Sequence, residues 1–200
     1  MNPILQPDRF WSRAEVLANP SPVARQPGVY GWYFKSIPLG VPTANCRSQD
    51  GLTLLYTGIS PKAPPQNGRN PSSQSLWHRI RYHYCGNAEG STLRLTLGCL
   101  LAEELGIHLR RVGSGKRLTF HTGESKLSEW MAANAFVVWF ETPHPWELES
   151  ELIRSVSLPL NLHQNAAHPY HPVLSALRRA AKEQARGLPI ALDKGILPGS

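Results

Sequence analysis

The alternation of apolar and polar positions along the chain predicts short strands and helices in mixed order. Segments rich in β-branched and aromatic residues predict strands over 28–34, 52–60 and 135–141. The second of these is apolar throughout, so we expect it to be buried on both faces. Residues 36–51 contain many Pro, Gly and Asn residues, which predicts a loop.

Apolar residues at three- and four-residue spacing predict helices around these strands. The predicted helices cover residues 8–18, 74–84, 92–105, 125–135, 145–157 and 173–186. Gly106 is expected to end the third helix as its C-cap. A hairpin is expected over 108–121, and residues 61–75 form a long polar loop. The fold class that follows is α+β, with a small, mostly antiparallel sheet of about three strands, flanked by helices and carrying an inserted hairpin.

The whole chain, residues 1–200, has the length of a single domain. No apolar run is long enough to span a membrane, and the N-terminus shows no secretory signal. Cys46, Cys85 and Cys99 are widely spaced and odd in number, which predicts reduced thiols and a cytoplasmic location. The net charge of +7 favours a polyanionic partner such as nucleic acid, although many basic proteins bind none.

One predicted helix carries a carboxylate on its apolar face. Glu149 is followed at i+3, i+4 and i+7 by Leu152, Ile153 and Val156, so the four side chains share one face. An inward carboxylate is costly unless it is paired or holds a metal ion. Periodicity alone fits either a functional glutamate or a partly buried one that is satisfied by an arginine.

The helix predicted over 74–84 shows the same anomaly with the opposite charge. Arg79 and His83 lie at i and i+4 on one face, whereas Arg81 lies about 200° around the helix from Arg79. A guanidinium held beside an imidazole and a carboxylate suits a scissile phosphate. The alternative is a solvated basic face.

Five short motifs, taken in order, resemble the GIY-YIG nuclease superfamily, and in particular its UvrC-type N-terminal catalytic domain. The motifs are Gly28-Val-Tyr30, Tyr56-Thr-Gly58, Leu76-x-x-Arg79-Ile80-x-x-His83, Glu149-x-x-Leu152-Ile153 and Pro159-Leu-Asn161. They are similar to the two halves of the family signature, its arginine helix, its glutamate helix and its closing asparagine. Each motif is short, but five in the family's order form a specific pattern.

The resemblance covers about residues 26–164 and implies a catalytic core there, with inserts at 61–75 and 108–121. Residues 1–25 are then an N-terminal extension, and 165–200 form a C-terminal helix and tail. The implied activity is hydrolysis of phosphodiester bonds in nucleic acid with one Mg²⁺ or Mn²⁺ ion. DNA is favoured over RNA because relatives act in repair, restriction and mobile-element cutting.

The resemblance also implies roles for the polar motif residues. Tyr30 would be the general base or would orient the attacking water, with support from Tyr56. Arg79 would bind the scissile phosphate, and His83 would be an auxiliary phosphate ligand or a proton carrier. The long 61–75 loop leaves the choice between Arg79 and Arg81 open. Both tyrosines also fit a structural role as half-buried strand residues.

The remaining motif residues would build the metal site and its frame. Glu149 would be the metal ligand, which suits an ion that uses one carboxylate, waters and substrate oxygens. Asn161 would fix the geometry of the site, and Gly28 and Gly58 are the motif's structural glycines. The alternatives are a turn glycine at 58 and a turn asparagine at 161.

Basic residues outside the motifs are candidates for binding the nucleic-acid backbone. The candidates are Arg81, the hairpin residues Arg110, Arg111, Lys116 and Arg117, and the last-helix residues Arg178, Arg179, Lys182 and Arg186. The alternative for both groups is a solvated surface. A further cluster, His163, His168 and His171, does not match zinc-ligand spacing, so local hydrogen bonding is expected there.

Two other functions remain open from the sequence. One is a catalytically silent protein that keeps the GIY-YIG fold for binding nucleic acid. The other is a different enzyme acting on a small phosphate ester, which would require a closed pocket. The sequence also leaves open the structure of the substrate and the need for a protein partner or a second copy of the chain.

Overall fold

The computed structural model describes residues 2–64 and 72–192. Its strands are β1 (Gly28–Phe34), β2 (Ser48–Gln49), β3 (Leu52–Ser60), β4 (Arg110–Val112), β5 (Arg117–Thr119) and β6 (Ala135–Glu141). Four of them form an antiparallel sheet in the order β2-β3-β1-β6, and β4 pairs with β5 in a separate hairpin. The predicted 61–75 loop lies partly outside the described residues.

The helices lie on both sides of the sheet. They are α1 (Arg13–Leu17), α2 (Leu76–Cys85), α3 (Thr92–Leu100), α4 (Ala102–Leu105), α5 (Gly123–Asn134), α6 (Pro145–Ser155) and α7 (His171–Gly187). Tyr30 and Trp32 face a large apolar cluster with residues of α2, α3 and α5. Val29 and Tyr33 point to the other face and pack with Leu152 of α6. Burial of these two faces is the main stabilising contribution to the fold.

The α+β fold class is confirmed, and the three long strands begin and end at the predicted residues. The prediction of a loop over 36–51 was wrong at its end, where β2 adds a fourth, two-residue strand. Asp50 and Gly51 connect β2 to β3 with φ angles of 51° and 75°. Positive φ at both central residues is what a tight hairpin turn between twisted strands requires.

Two predicted helices differ clearly from the structure, whereas the ends of the others shift by at most two residues. The helix that carries Glu149 ends at Ser155, so the prediction that Val156 shares its apolar face was wrong. Trp11 forms a bridge with Val137 of β6, so the chain at Trp11 is extended and α1 starts only at Arg13. The helix predicted over 92–105 is broken at Leu101 into α3 and α4. Gly106 then ends α4 in the left-handed conformation, as predicted.

No helix within residues 2–64 and 72–192 combines the length and the apolar composition needed to cross a membrane. Cys46, Cys85 and Cys99 all lie within these ranges and are free thiols.

Candidate active site

The two halves of the signature motif face each other across the β1–β3 pair. Tyr30 is the register partner of Gly58, and Tyr56 is that of Trp32. A Cβ atom placed on Gly58 would lie 2.5 Å from the hydroxyl oxygen of Tyr30 and 2.7 Å from its Cζ. Only glycine leaves room for the tyrosine ring at this position.

Gly28 has a comparable packing role at the other end of the motif. A Cβ atom there would overlap the carbonyl oxygen of Phe140 and lie 2.6 Å from Cδ1 of Leu76. The missing side chain therefore lets β1 approach both β6 and the start of α2, the helix that carries Arg79.

Tyr30 is linked to His83 by a buried hydrogen-bond chain. Its hydroxyl oxygen lies 2.9 Å from Nε2 of His83, and Nδ1 of His83 lies 2.7 Å from Oγ of Ser91. His83 is fully buried, and Ser91 also caps α3 by accepting a hydrogen bond from the backbone N–H of Arg94. Since both imidazole nitrogens have protein partners, this geometry favours the proton-carrier role over the role of phosphate ligand.

Burial keeps the Tyr30 phenol and the His83 imidazole neutral. It raises the pKa of Tyr30 well above its usual range, and the charges of Tyr56 and Glu149 raise it further, whereas Arg79 opposes the change. Burial also lowers the pKa of His83 well below 6.5, and Arg79 adds to this effect. At pH 7 the site therefore contains an uncharged phenol beside an uncharged imidazole.

The structure places Arg79, and not Arg81, beside the tyrosines. One nitrogen of Arg79 donates to the carbonyl oxygen of Gly90 over 2.8 Å, and its charge lowers the pKa of Tyr30 and of Tyr56. Arg81 lies elsewhere, with its guanidinium carbon 4.8 Å from the ring centroid of Trp77.

Glu149 reaches the same site from the other face of the sheet. Its helix, α6, packs against the opposite cluster, yet the charge of Glu149 raises the pKa of both Tyr30 and Tyr56. Burial raises the pKa of Glu149 to about 7, and only the charge of Lys62 opposes this shift. Neither ion pair among the described residues involves Glu149, so the alternative of an arginine-paired glutamate finds no partner there.

Glu149 is the carboxylate that the site offers to a metal ion. Across residues 2–64 and 72–192, no three His, Cys, Asp or Glu side chains come together as a ready metal cluster. A partly buried carboxylate whose ionisation is disfavoured still fits Mg²⁺ or Mn²⁺, because such ions complete their shell with water and phosphate oxygens. Glu149 is the residue that would hold the ion.

The histidine cluster near the C-terminus forms local contacts. Nε2 of His168 lies 3.0 Å from Oγ of Ser157, and its Nδ1 accepts a hydrogen bond from the backbone N–H of Tyr170. For His168 these are hydrogen bonds of the kind expected from the sequence for the group of His163, His168 and His171.

Asn161 is buried at the outer edge of β3. Its Oδ1 accepts from the N–H of Thr57 and its Nδ2 donates to the Thr57 carbonyl, both over 2.9 Å. The adjacent Leu160 donates its N–H to the carbonyl oxygen of Leu55. The side chain thus acts like a further strand residue and holds the backbone between Tyr56 and Gly58.

Three supporting residues were not identified from the sequence. Thr92 lies 3.2 Å from the hydroxyl of Tyr56, and Ser91 holds His83. Arg94 is fully buried, forms a 2.7 Å ion pair with Glu124, and donates to the backbone carbonyl of His83. Ser91 had a detectable signal as the polar residue before a helix.

Two of the basic hairpin residues are bound to backbone carbonyls, and the other two are exposed. Arg110 and Arg111 each donate from Nη2 to a backbone carbonyl after α7, of Pro189 over 3.1 Å and of Leu188 over 2.7 Å. Lys116 and Arg117 are exposed at the hairpin end. The hairpin therefore anchors the segment that follows α7.

The family model of the GIY-YIG catalytic domain matches residues 28–183, and the chain belongs to this family. The match starts with β1 and continues past residue 164 through most of α7. Membership indicates nuclease-type function on a nucleic-acid substrate. Comparison with curated proteins gave no match, and comparison with solved structures gave none either.

Proposed function

We propose that this chain is an endonuclease that hydrolyses phosphodiester bonds, in DNA in preference to RNA, with one Mg²⁺ or Mn²⁺ ion. The main support is that the charges of Arg79 and Glu149 both shift the pKa of the buried Tyr30, although the two residues come from helices on opposite faces of the sheet. The preference for DNA rests on the family resemblance. A cytoplasmic location belongs to the same proposal and rests on the cysteine content.

Arg79 binds the phosphate that is cleaved. Its contact with the Gly90 carbonyl fixes one side of the guanidinium, so the charge is already in place when substrate binds. The negative charge that develops on the phosphoryl oxygens as water attacks is stabilised most strongly by such a preorganised cation.

Tyr30 positions the attacking water and receives its proton. Since the phenol and the imidazole are both neutral, the proton moves in concert: the Tyr30 oxygen takes one proton from water as its own passes to Nε2 of His83. The water oxygen bonds to phosphorus, the bond to the leaving sugar oxygen breaks, and the departing oxygen takes up a proton from solvent. The nearby charges of Arg79 and Arg94 disfavour a protonated His83, so the imidazole releases this proton readily.

Glu149 supplies the anionic ligand. When bound, the divalent ion supplies Lewis-acid stabilisation of the phosphate oxygens. The raised pKa of about 7 means that Glu149 is partly protonated near neutral pH without a cation, so metal binding and loss of this proton are coupled.

The experiment that tests the proposal combines a substrate panel with one conservative substitution. Single-stranded, duplex, flap and junction DNAs and the matching RNAs are incubated with Mg²⁺, Mn²⁺ or EDTA. Glu149→Gln keeps the shape of the side chain but removes the charge. We expect it to bind nucleic acid and to cut at a rate lower than that of wild type by a factor on the order of 10² or more. Glu151→Gln, an exposed change of the same charge on the same helix, is the matched control.

Each outcome of this experiment decides between functions. Cleavage that requires a divalent ion and is lost only in Glu149→Gln supports the proposal. Cleavage in EDTA, or wild-type rates in Glu149→Gln, contradicts the metal role of Glu149. A wild-type chain that binds these nucleic acids but cuts none of them is the silent binder.

A further inference from the structure

One face of α7 carries four cations next to the candidate active site. At 100° per residue, these side chains fall within an arc of about 100° on the helix. We call this surface the α7 basic face; its residues are Arg178, Arg179, Lys182 and Arg186. Together with Leu162 and Ser175 they line an open cavity of about 310 Å³.

The α7 basic face is joined to the active site through α3. The hydroxyl of Tyr56 contacts Thr92, and one helical turn later Thr96 accepts a hydrogen bond from Arg178 over 3.5 Å. Arg178 is close enough for its charge to act on the pKa of Tyr56. The cationic surface therefore begins at the tyrosine pair and extends away from it along α7.

The side chains of this face differ from the hairpin arginines in what they contact. Arg110 and Arg111 are bound to the backbone carbonyls after α7. The ion pairs within residues 2–64 and 72–192 are Arg9–Glu15 and Arg94–Glu124, so no described carboxylate forms an ion pair with the α7 basic face, Glu183 of the same helix included. Arg179 and Arg186 are exposed and available to a ligand.

We propose that the α7 basic face binds the phosphate backbone of the substrate strand beside the cleaved bond, in preference to the hairpin. From Arg178 to Arg186 the helix rises about 12 Å, which matches three to four nucleotides of a strand that rises about 3.4 Å per nucleotide. Cations at this spacing meet successive phosphates without reading bases, so the contribution is independent of sequence. This inference rests on the proposed nuclease function.

The test compares two double substitutions that remove the same charge. Arg179→Gln/Arg186→Gln changes exposed residues of α7, and Lys116→Gln/Arg117→Gln changes exposed residues of the hairpin. Affinity for a labelled DNA that wild type cleaves is measured by fluorescence anisotropy in EDTA, from about 50 to about 200 mM salt. Circular dichroism checks that each variant is folded.

We expect the α7 double variant to lose affinity on the order of tenfold or more, and its salt slope to fall by about 1.8, since each lost phosphate contact removes about 0.9. Its KM should rise more than its kcat falls, because the reacting groups are intact. The hairpin double variant should lose clearly less affinity.

Equal losses in the two variants would show only an effect of net charge and would overturn the inference, as would a larger loss in the hairpin variant. If wild type cuts DNA and the α7 variant binds it like wild type, this inference fails while the nuclease function stands. A wild type that neither binds nor cuts any nucleic acid removes both.

Discussion

Tyr30 occupies the space that a side chain at position 58 would need. A Cβ atom on Gly58 would lie 2.5 Å from the Tyr30 hydroxyl oxygen, which is also the oxygen hydrogen-bonded to His83. The glycine of the second half-motif therefore sets the position of the tyrosine of the first. Its requirement is steric and does not depend on a positive φ angle.

Gly58→Ala is expected to displace the Tyr30 hydroxyl and to slow cleavage on the order of 10²-fold, because a shift of about 1 Å at a reacting group has such an effect. Single-turnover cleavage measures the rate. Gly187→Ala is the control, since nothing lies within 4 Å of a Cβ atom there. Normal cleavage by Gly58→Ala would show that the position of Tyr30 is not critical.

Arg79→Ala and Arg81→Ala should separate two arginines of one helix. We expect Arg79→Ala to slow cleavage by about 10²–10³-fold, the usual effect of losing one preorganised charge partner. Arg81→Ala loses a contact with the partly buried Trp77 that is worth roughly 0.5–1 kcal/mol, and should cut normally. The reverse order of effects would contradict the assignment of Arg79.

The partly buried carboxylate of Glu149 predicts a pH-dependent difference in stability. With its pKa raised from 4.5 to about 7, the folded chain keeps a proton on Glu149 in this interval that the unfolded chain has lost. The free energy of unfolding of wild type therefore falls as pH rises from 4.5 to 7. Glu149→Gln stays neutral throughout, so its stability relative to wild type should increase over this range by roughly 1–3 kcal/mol.

Urea unfolding in EDTA at about pH 5 and about pH 8 measures this difference. Glu151→Gln serves again as the control and should show no comparable change between the two pH values. A stability difference between Glu149→Gln and wild type that is the same at both pH values would refute the burial effect.

The ion pair between Arg94 and Glu124 should be the most sensitive polar contact of the fold. Arg94→Met leaves a carboxylate unpaired in the interior and should cost about 3–5 kcal/mol of unfolding free energy. In the double variant Arg94→Met/Glu124→Gln, part of this loss should return, because Oε1 still accepts from the backbone N–H groups of Ala88 and Phe120.

The exposed pair of Arg9 and Glu15 provides the comparison, since Arg9→Met should cost at most about 1 kcal/mol. Denaturant unfolding of all three variants gives the energies. An Arg94→Met variant as stable as Arg9→Met would mean that the buried pair contributes no more than a surface one.

The long strands were predictable because their signal is local. Residues 28–34 and 52–60 have the composition of buried strands, and no distant contact changes their ends. The short strand β2 also had a local signal, the Asp50-Gly51 pair, which is typical of tight hairpins. The extended conformation at the start of the predicted 8–18 helix had no such local signal, because Trp11 is extended only through its pairing with Val137.

The residues of the candidate site likewise differ in how far they could be predicted from the sequence. Arg79 and Glu149 were candidates from helical periodicity, and Tyr30 became one because the motif order resembles a known family. Arg94 had no comparable signal, since its partner Glu124 is far along the chain and an arginine between Leu93 and Leu95 gives no indication of what it contacts. Sequence periodicity indicates that a side chain points inward, but only tertiary structure identifies the group that satisfies it.

The segment between residues 90 and 130 is not a detachable module. The Gly90 carbonyl holds Arg79, Ser91 holds His83, and Arg94 holds the carbonyl end of α2. A chimaera in which a short linker replaces this segment would lose its catalytic geometry even if the sheet still formed. In any loop exchange on this domain, the segment and α2 should therefore be kept or replaced together.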